Sequence, residues 1–169
     1  MPLTTRRTTH RLTIKAPADL IFTILRDSSH WAFLDGLTVY SERVSGDDAN
    51  HELRTSVVAN GALNSSRCRR VFDAVRHRAE FRQLGLEHPL LSLGGGWTII
   101  RAGGEASEVT LTHVFEVDEE EAGELPNLMH RMIDEYSHRE LEALRLSSER
   151  LSLLVQQHSA AANAWEAQD

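Results

Sequence analysis

Three polar side chains fall where an apolar face is expected, and their types suit the chemistry of ketones. The run Glu108–Val117 alternates with the period of a strand. Val109, Leu111, His113, Phe115 and Val117 share one face, and Thr110, Thr112, Val114 and Glu116 share the other. His113 stands in the middle of the apolar face, where an imidazole is either a core residue bonded to its surroundings or an acid or base working near neutral pH. The run Arg67-Cys68-Arg69-Arg70 is not one basic patch, because alternation sends Cys68, Arg70 and Phe72 one way and Arg67 and Arg69 the other. The face with Cys and Phe is the expected inner one. Arg70 is then an inward guanidinium, the alternative being a solvated arginine on an edge strand. From about Leu125 to Gln157 a helical wheel gathers Leu125, Met129, Met132, Ile133, Tyr136, Ala143, Leu144, Leu151 and Leu154 into one stripe. Glu140 lands inside it. A carboxylate there needs a partner or must snorkel to water. One Arg, one His and one Glu on the inward faces of three elements can meet in a single cavity. The set offers a cation for an enolate oxygen and an acid–base pair for moving protons.

Competing chemistries find no support in the spacing. There is no His-Glu-x-x-His, no Cys-x-x-Cys and no phosphate loop. Gly94-Gly95-Gly96 lacks the spacing of a nucleotide site and fits a bend or close backbone approach in a curved strand. Nine histidines are scattered without metal-ligand spacing, so no metal is expected. Cys68 carries no nucleophile signature and reads as a small packing residue.

The elements that must hold these residues can be read in order. Residues 9–16 alternate as a strand, and Pro17 opens a short helix over 18–26. Asp27-Ser28-Ser29 would cap a second short helical turn carrying Trp31, Phe33 and Leu34. Six strand-like runs follow, at Val39–Ser45, His51–Ala59, Leu63–Phe72, His77–Leu84, Leu91–Arg101 and Glu108–Val117. Asn60-Gly61 is a two-residue hairpin signal, and the short connections favour antiparallel neighbours. The long helix comes last, and the Ala-rich tail from Ser159 to Asp169 is expected to fray. A curved antiparallel sheet cannot bury its concave face alone, and only the last helix can cover it. The expected class is therefore α+β, a helix laid on a sheet with a ligand cavity between them.

Composition agrees with a globular domain. The chain has 169 residues, 41% of them hydrophobic and 25% charged, which fits one domain, read here as residues 1–158. Its net charge of −7 disfavours a nucleic-acid surface. The single cysteine precludes an internal disulfide, and no apolar run approaches the ~20 residues of a membrane span. The expectation is a soluble, cytoplasmic protein with no membrane contact. No long uncovered apolar stripe demands a dimer, so a monomer is expected.

Several stretches resemble the polyketide aromatase/cyclases of bacterial type II pathways, within the START-like, Bet v 1-like (SRPBCC) superfamily. His10–Asp19 is similar to that family's first strand and helix start, and Trp31 to a tryptophan after the first helix. Asn60-Gly61 with Arg69-Arg70, Phe81-Arg82-Gln83 and Gly94-Gly95-Gly96-Trp97 resemble three further segments. Leu111–Phe115 resembles the Leu-x-His-x-aromatic strand, and Tyr136–Leu141 the helix segment Asn-Ser-x-x-Asp/Glu-Leu. The resemblance implies a helix-grip fold, with a curved seven-stranded antiparallel sheet wrapped around the long C-terminal helix and two short helices after the first strand. It implies that a poly-β-ketone, delivered on the acyl carrier protein of a minimal polyketide synthase, closes its first ring by aldol addition and then loses water. No cofactor is implied. The catalytic positions would be Arg70, His113 and Glu140, with substrate contacts from Trp31, Ser66, Cys68, Phe72, Phe81, Arg82, Trp97, Met129 and Tyr136. Arg82 stays open between two readings, because alternation turns Phe81 inward while family members can line the pocket with this Arg. Ser66 stands where the family commonly has Trp, and Tyr136 where it has Asn, so the cavity's shape should differ. Two alternatives stay open: a non-catalytic binder or carrier of a hydrophobic ligand, and a later-ring cyclase or product-shaping subunit.

Overall fold

The computed structural model describes residues 1–27, 38–59 and 61–167. In chain order the elements are β1 (Leu3–Ile14), α1 (Ala18–Arg26), β2 (Thr38–Gly46), β3 (Asn50–Ala59), β4 (Ala62–Asp73), β5 (Arg78–Leu84), β6 (Leu90–Gly103), β7 (Ala106–Asp118), α2 (Glu119–Ala122) and α3 (Leu125–Glu166). The strands form one antiparallel sheet in the order β1-β7-β6-β5-β4-β3-β2. The long α3 grips its concave face, as the sequence led one to expect. The second short helix, with Trp31, Phe33 and Leu34, lies outside the described residues. β1 starts at Leu3, earlier than its alternation indicates, because Leu3–Thr8 pair with Asp118–His113 of β7 and the ladder satisfies their backbone groups.

β7 is the cleanest amphipathic element. Val109, Leu111, Phe115 and Val117 are fully buried and their neighbours half-buried. Ile14, Ile21, Leu25, Trp97, Leu111 and Leu144 close the main core between the sheet, α1 and α3. Each such large side chain contributes about 1.5–3 kcal/mol through burial. A smaller cluster of Phe115, Val117, Ala122 and Ile133 closes the end near α2, with Leu93 and Met129 packed against it.

The helix face differs from the one the wheel gave. α3 buries Pro126, Ile133, Ser137, Leu141, Ala143, Leu144, Ser148 and Ser152, while Leu151 and Leu154 are exposed. Three of those eight are serines. Small side chains let a helix approach a sheet closely, but a hydropathy wheel gives serine no weight and so centres the stripe wrongly. The tail is also helical. α3 runs to Glu166, where frayed chain was expected from Ser159 on. No residue of α3 beyond Ser152 is buried, so local hydrogen bonds and the high helix propensity of the alanines carry this end.

The glycine triplet sits in β6 opposite Phe81 and Arg82 of β5 and His113 and Val114 of β7. A Cβ placed on Gly95 would lie 1.8 Å from the Thr112 carbonyl oxygen. The sheet can bend here only because no side chain stands at that position.

Candidate active site

A cavity of about 660 Å³ lies between the concave face and α3. β4 supplies Ser66, Cys68, Arg70 and Phe72, all on the inner face by alternation. β5 supplies Phe81 and Gln83, β6 Trp97, β7 His113, and α3 Tyr136 and Glu140.

Arg70 is held by the structure around it. Its Nε donates to His51 Nε2 at 3.0 Å. Its two terminal nitrogens donate to the carbonyls of Leu25 and Arg26, at 3.3 and 2.9 Å. Those carbonyls end α1, where the last turn leaves acceptors without intrahelical partners and the helix dipole is negative. The guanidinium also lies 4.7 Å from the centre of the Phe72 ring. A guanidinium has five N–H groups, so two of Arg70's remain without a partner among the described residues. Burial lowers its pKa to about 10, which leaves it charged at neutral pH.

His51 was not foreseen, yet it fixes the Arg70 fork. Arg70 can only donate, so His51 Nε2 must be the bare nitrogen. His51 Nδ1–H then donates to the Asp47 carbonyl at 2.9 Å. The ring is fully buried and stacks on Phe72, and burial, followed by the Arg70 charge, pushes its pKa down. The available signal was register. His51 shares the parity of Leu53 and Thr55 and pairs directly with Arg70.

His113 meets Phe81 with ring centres 5.1 Å apart. Both residues pair with Gly95 on the strand between them, so the missing side chain lets the two rings touch. His113 Nδ1 lies 3.3 Å from Ser137 Oγ, in a hydrogen bond whose donor depends on the tautomer. Nε2 makes no hydrogen bond with a described residue. Burial first, then the charge of His10, push the His113 pKa down to about 4. The imidazole is therefore neutral at pH 7 and can accept a proton. Ser137 was also missed as a contact, although it lies in the helix segment that carries Glu140. Glu140 lies at the cavity wall, and its charge acts on both Arg70 and Cys68. Burial raises the Cys68 thiol, which argues against a thiolate nucleophile.

Two expected contacts do not reach the cavity. Arg82 is exposed on the outer face, because Phe81 and Gln83 take the inner positions of β5. Met129 packs in the smaller cluster near α2, and Met132 and Ile133, about one turn further along the helix, line the cavity instead. Trp31 is outside the described residues. Among the others, Ser66 and Tyr136 lie at the wall, so both departures from the family pattern bear on its shape.

A sheet gripping one long helix around a polar-tipped apolar cavity defines the helix-grip class, the fold of START and Bet v 1-like proteins. No protein-family model matches the chain. Its homologues are polyketide synthase cyclase/dehydratases. The actinorhodin polyketide synthase bifunctional cyclase/dehydratase of Streptomyces coelicolor is 31% identical over 144 residues, 85% of this chain and 44% of that protein. The granaticin counterpart of Streptomyces violaceoruber is 27% identical over 146 residues, 86% of this chain and 45% of that protein. The chain thus spans less than half the length of these relatives. The Zhui aromatase/cyclase from Streptomyces sp. R1128 superposes with a TM-score of 0.80 at 24% identity, covering 87% of this chain and 95% of that one.

Proposed function

We propose that this chain is a polyketide aromatase/cyclase domain. It closes the first ring of a carrier-tethered poly-β-ketone by intramolecular aldol addition and aromatises it with loss of water. The observation that carries this reading is the convergence of Arg70, His113 and Glu140 on one cavity, and the similarity to polyketide cyclase/dehydratases supports it.

In this mechanism His113 Nε2 takes a proton from a methylene between two ketones. The electron pair moves onto the ketone oxygen, and the enolate rests against the spare N–H groups of Arg70. A fixed cation in a water-poor site stabilises such charge far better than bulk water does. The enolate carbon then bonds to a second ketone carbon further along the chain, and the new alkoxide takes a proton from the imidazolium. His113 next removes another α-proton, and the imidazolium so formed passes that proton to the departing hydroxyl, which leaves as water. Glu140 balances the Arg70 charge and orients the site for this loss. Enolisation of the remaining ketones completes the aromatic ring. The apolar walls hold the chain folded, so the reacting carbons meet without a diffusional search.

The test is the mass-resolved product profile of a minimal aromatic polyketide synthase with and without this protein. A dehydrated, single-ring shunt with fixed connectivity is the expected new product. A folded Arg70→Ala protein that still gave it would remove Arg70 from the mechanism. The Arg70 cap on α1 favours a second reading, in which Arg70 is structural and the cavity only carries an apolar ligand. In that case Arg70→Ala lowers the melting temperature, and His113→Ala changes neither ligand affinity nor ligand fate.

A further inference from the structure

The back of the sheet carries a second concave surface that the proposed reaction does not use. On the outer face, one transverse row runs Arg69–Arg82–Gly94–Val114–Arg7 across β4, β5, β6, β7 and β1. A second row, four residues along β5, runs Arg78–Thr98–Thr110–Arg11. Between the rows lies a depression of about 610 Å³ walled by Arg7, Arg69, Arg78 and Arg82. Its floor is made of small residues, Gly96, Thr98, Thr112 and Val114.

The charge here runs against the rest of the molecule. Four arginines line the depression against one carboxylate, Glu80, in a chain of net charge −7. None of the four makes an ion pair or hydrogen bond with a described residue, whereas neighbouring Arg67 pairs with Glu52 and Arg76 with Asp73. Arg69 and Arg82 are direct cross-strand partners. Like charges opposite each other destabilise a sheet, and a bound anion removes that penalty.

The dimensions select the anion. The arginines of β5 and β1 stand three strand spacings apart, about 14 Å. A single α-helix is about 10–12 Å across with its side chains. It fits on the bare floor with acidic residues on both flanks facing the two arginine walls. We propose that this trough docks an acidic α-helix presented by a partner protein. A second copy of this chain does not supply it: the acidic run Asp118–Glu121 enters a helix of only four residues, and the exposed acids of α3, Asp134, Glu135 and Glu142, are already paired with His10, Arg139 and Arg145. A nucleic acid is disfavoured by the negative charge of the rest of the molecule.

The test uses the full chain and a fluorescent helical peptide of Ala with Glu along both flanks. Titration at low and at physiological ionic strength gives affinity and its salt dependence, and hydrogen exchange maps the footprint. The expected result is salt-sensitive binding that protects β5, β6, β7 and β1. An Arg78→Glu/Arg82→Glu variant should bind at least about tenfold more weakly, and Arg131→Glu on α3 should bind as the wild type does. An Arg7→Gln/Arg69→Gln variant with an unchanged melting temperature guards against misfolding and should weaken binding in the same direction. The proposal is overturned if the peptide does not bind at low salt, or if both double variants bind it unchanged. It is overturned equally if a proline-broken peptide of the same charge, or a short DNA duplex, binds as tightly as the helix.

Discussion

At the scale of single residues, the site is built by giving ionisable groups one available role each. His113 is neutral because the apolar face of β7 buries it. Its folded-state pKa of about 4 lies below the 6.5 of an exposed imidazole. Folding therefore favours the deprotonated ring. The associated stability is complete above pH 6.5 and is lost as pH falls to about 4, amounting to about 3 kcal/mol for a shift of this size. Urea titrations between pH 7 and 4 should show that fall, and His113→Gln should flatten it in that window. A His113 acting as base also places the acid limb of kcat/KM near pH 4, and a limb at 6.5 would point to another group. His51 should behave as a positioning residue for Arg70. His51→Ala leaves the buried Arg70 Nε–H without an acceptor, a loss of about 1–3 kcal/mol by chemical denaturation. It should lower kcat more than it raises KM, and His51→Asn, which restores an acceptor, should recover part of both. Cys68, by contrast, should be replaceable by Ala with little change in rate.

At the scale of elements, close approach decides more than hydrophobicity. Gly95 shows this on the sheet. Gly95→Ala puts a methyl carbon into the Thr112 carbonyl and 3.0 Å from the Cα of His113. It should destabilise by more than about 2 kcal/mol and disturb activity, read by thermal unfolding and product yield. α3 shows it on the helix. Ser137 touches both the sheet and His113, so Ser137→Leu should be far more damaging than Ser137→Ala. The strands were legible because apolar and polar residues alternate cleanly, most of all in β7. The rotation of α3 was not, because a buried serine looks like a surface serine until the sheet beneath it is known.

At the scale of the whole molecule, the described chain is one sheet, one long helix and a cavity between them. Its outlying segment is the end of α3. Removing residues 159–169 should leave the melting temperature within about 2 °C of the intact chain, because the described residues there are exposed. Removing the chain from Leu144 onward strips Leu144 and the serines beyond it from the sheet and should abolish cooperative unfolding. The amino-acid sequence alone determined the antiparallel sheet, the covering helix and the inward direction of Arg70 and His113. All of these follow from local periodicity, which the backbone geometry of a strand or helix imposes on whatever side chains it carries. Only the tertiary structure decided who touches whom. The pairing of β3 with β4 brings His51 to Arg70, the end of α1 supplies the carbonyls that hold Arg70, and the register from β4 to β1 sets Arg82 in one row with Arg69 and Arg7 on the far face. Such contacts depend on register and approach between segments distant in the chain, and no local pattern encodes them.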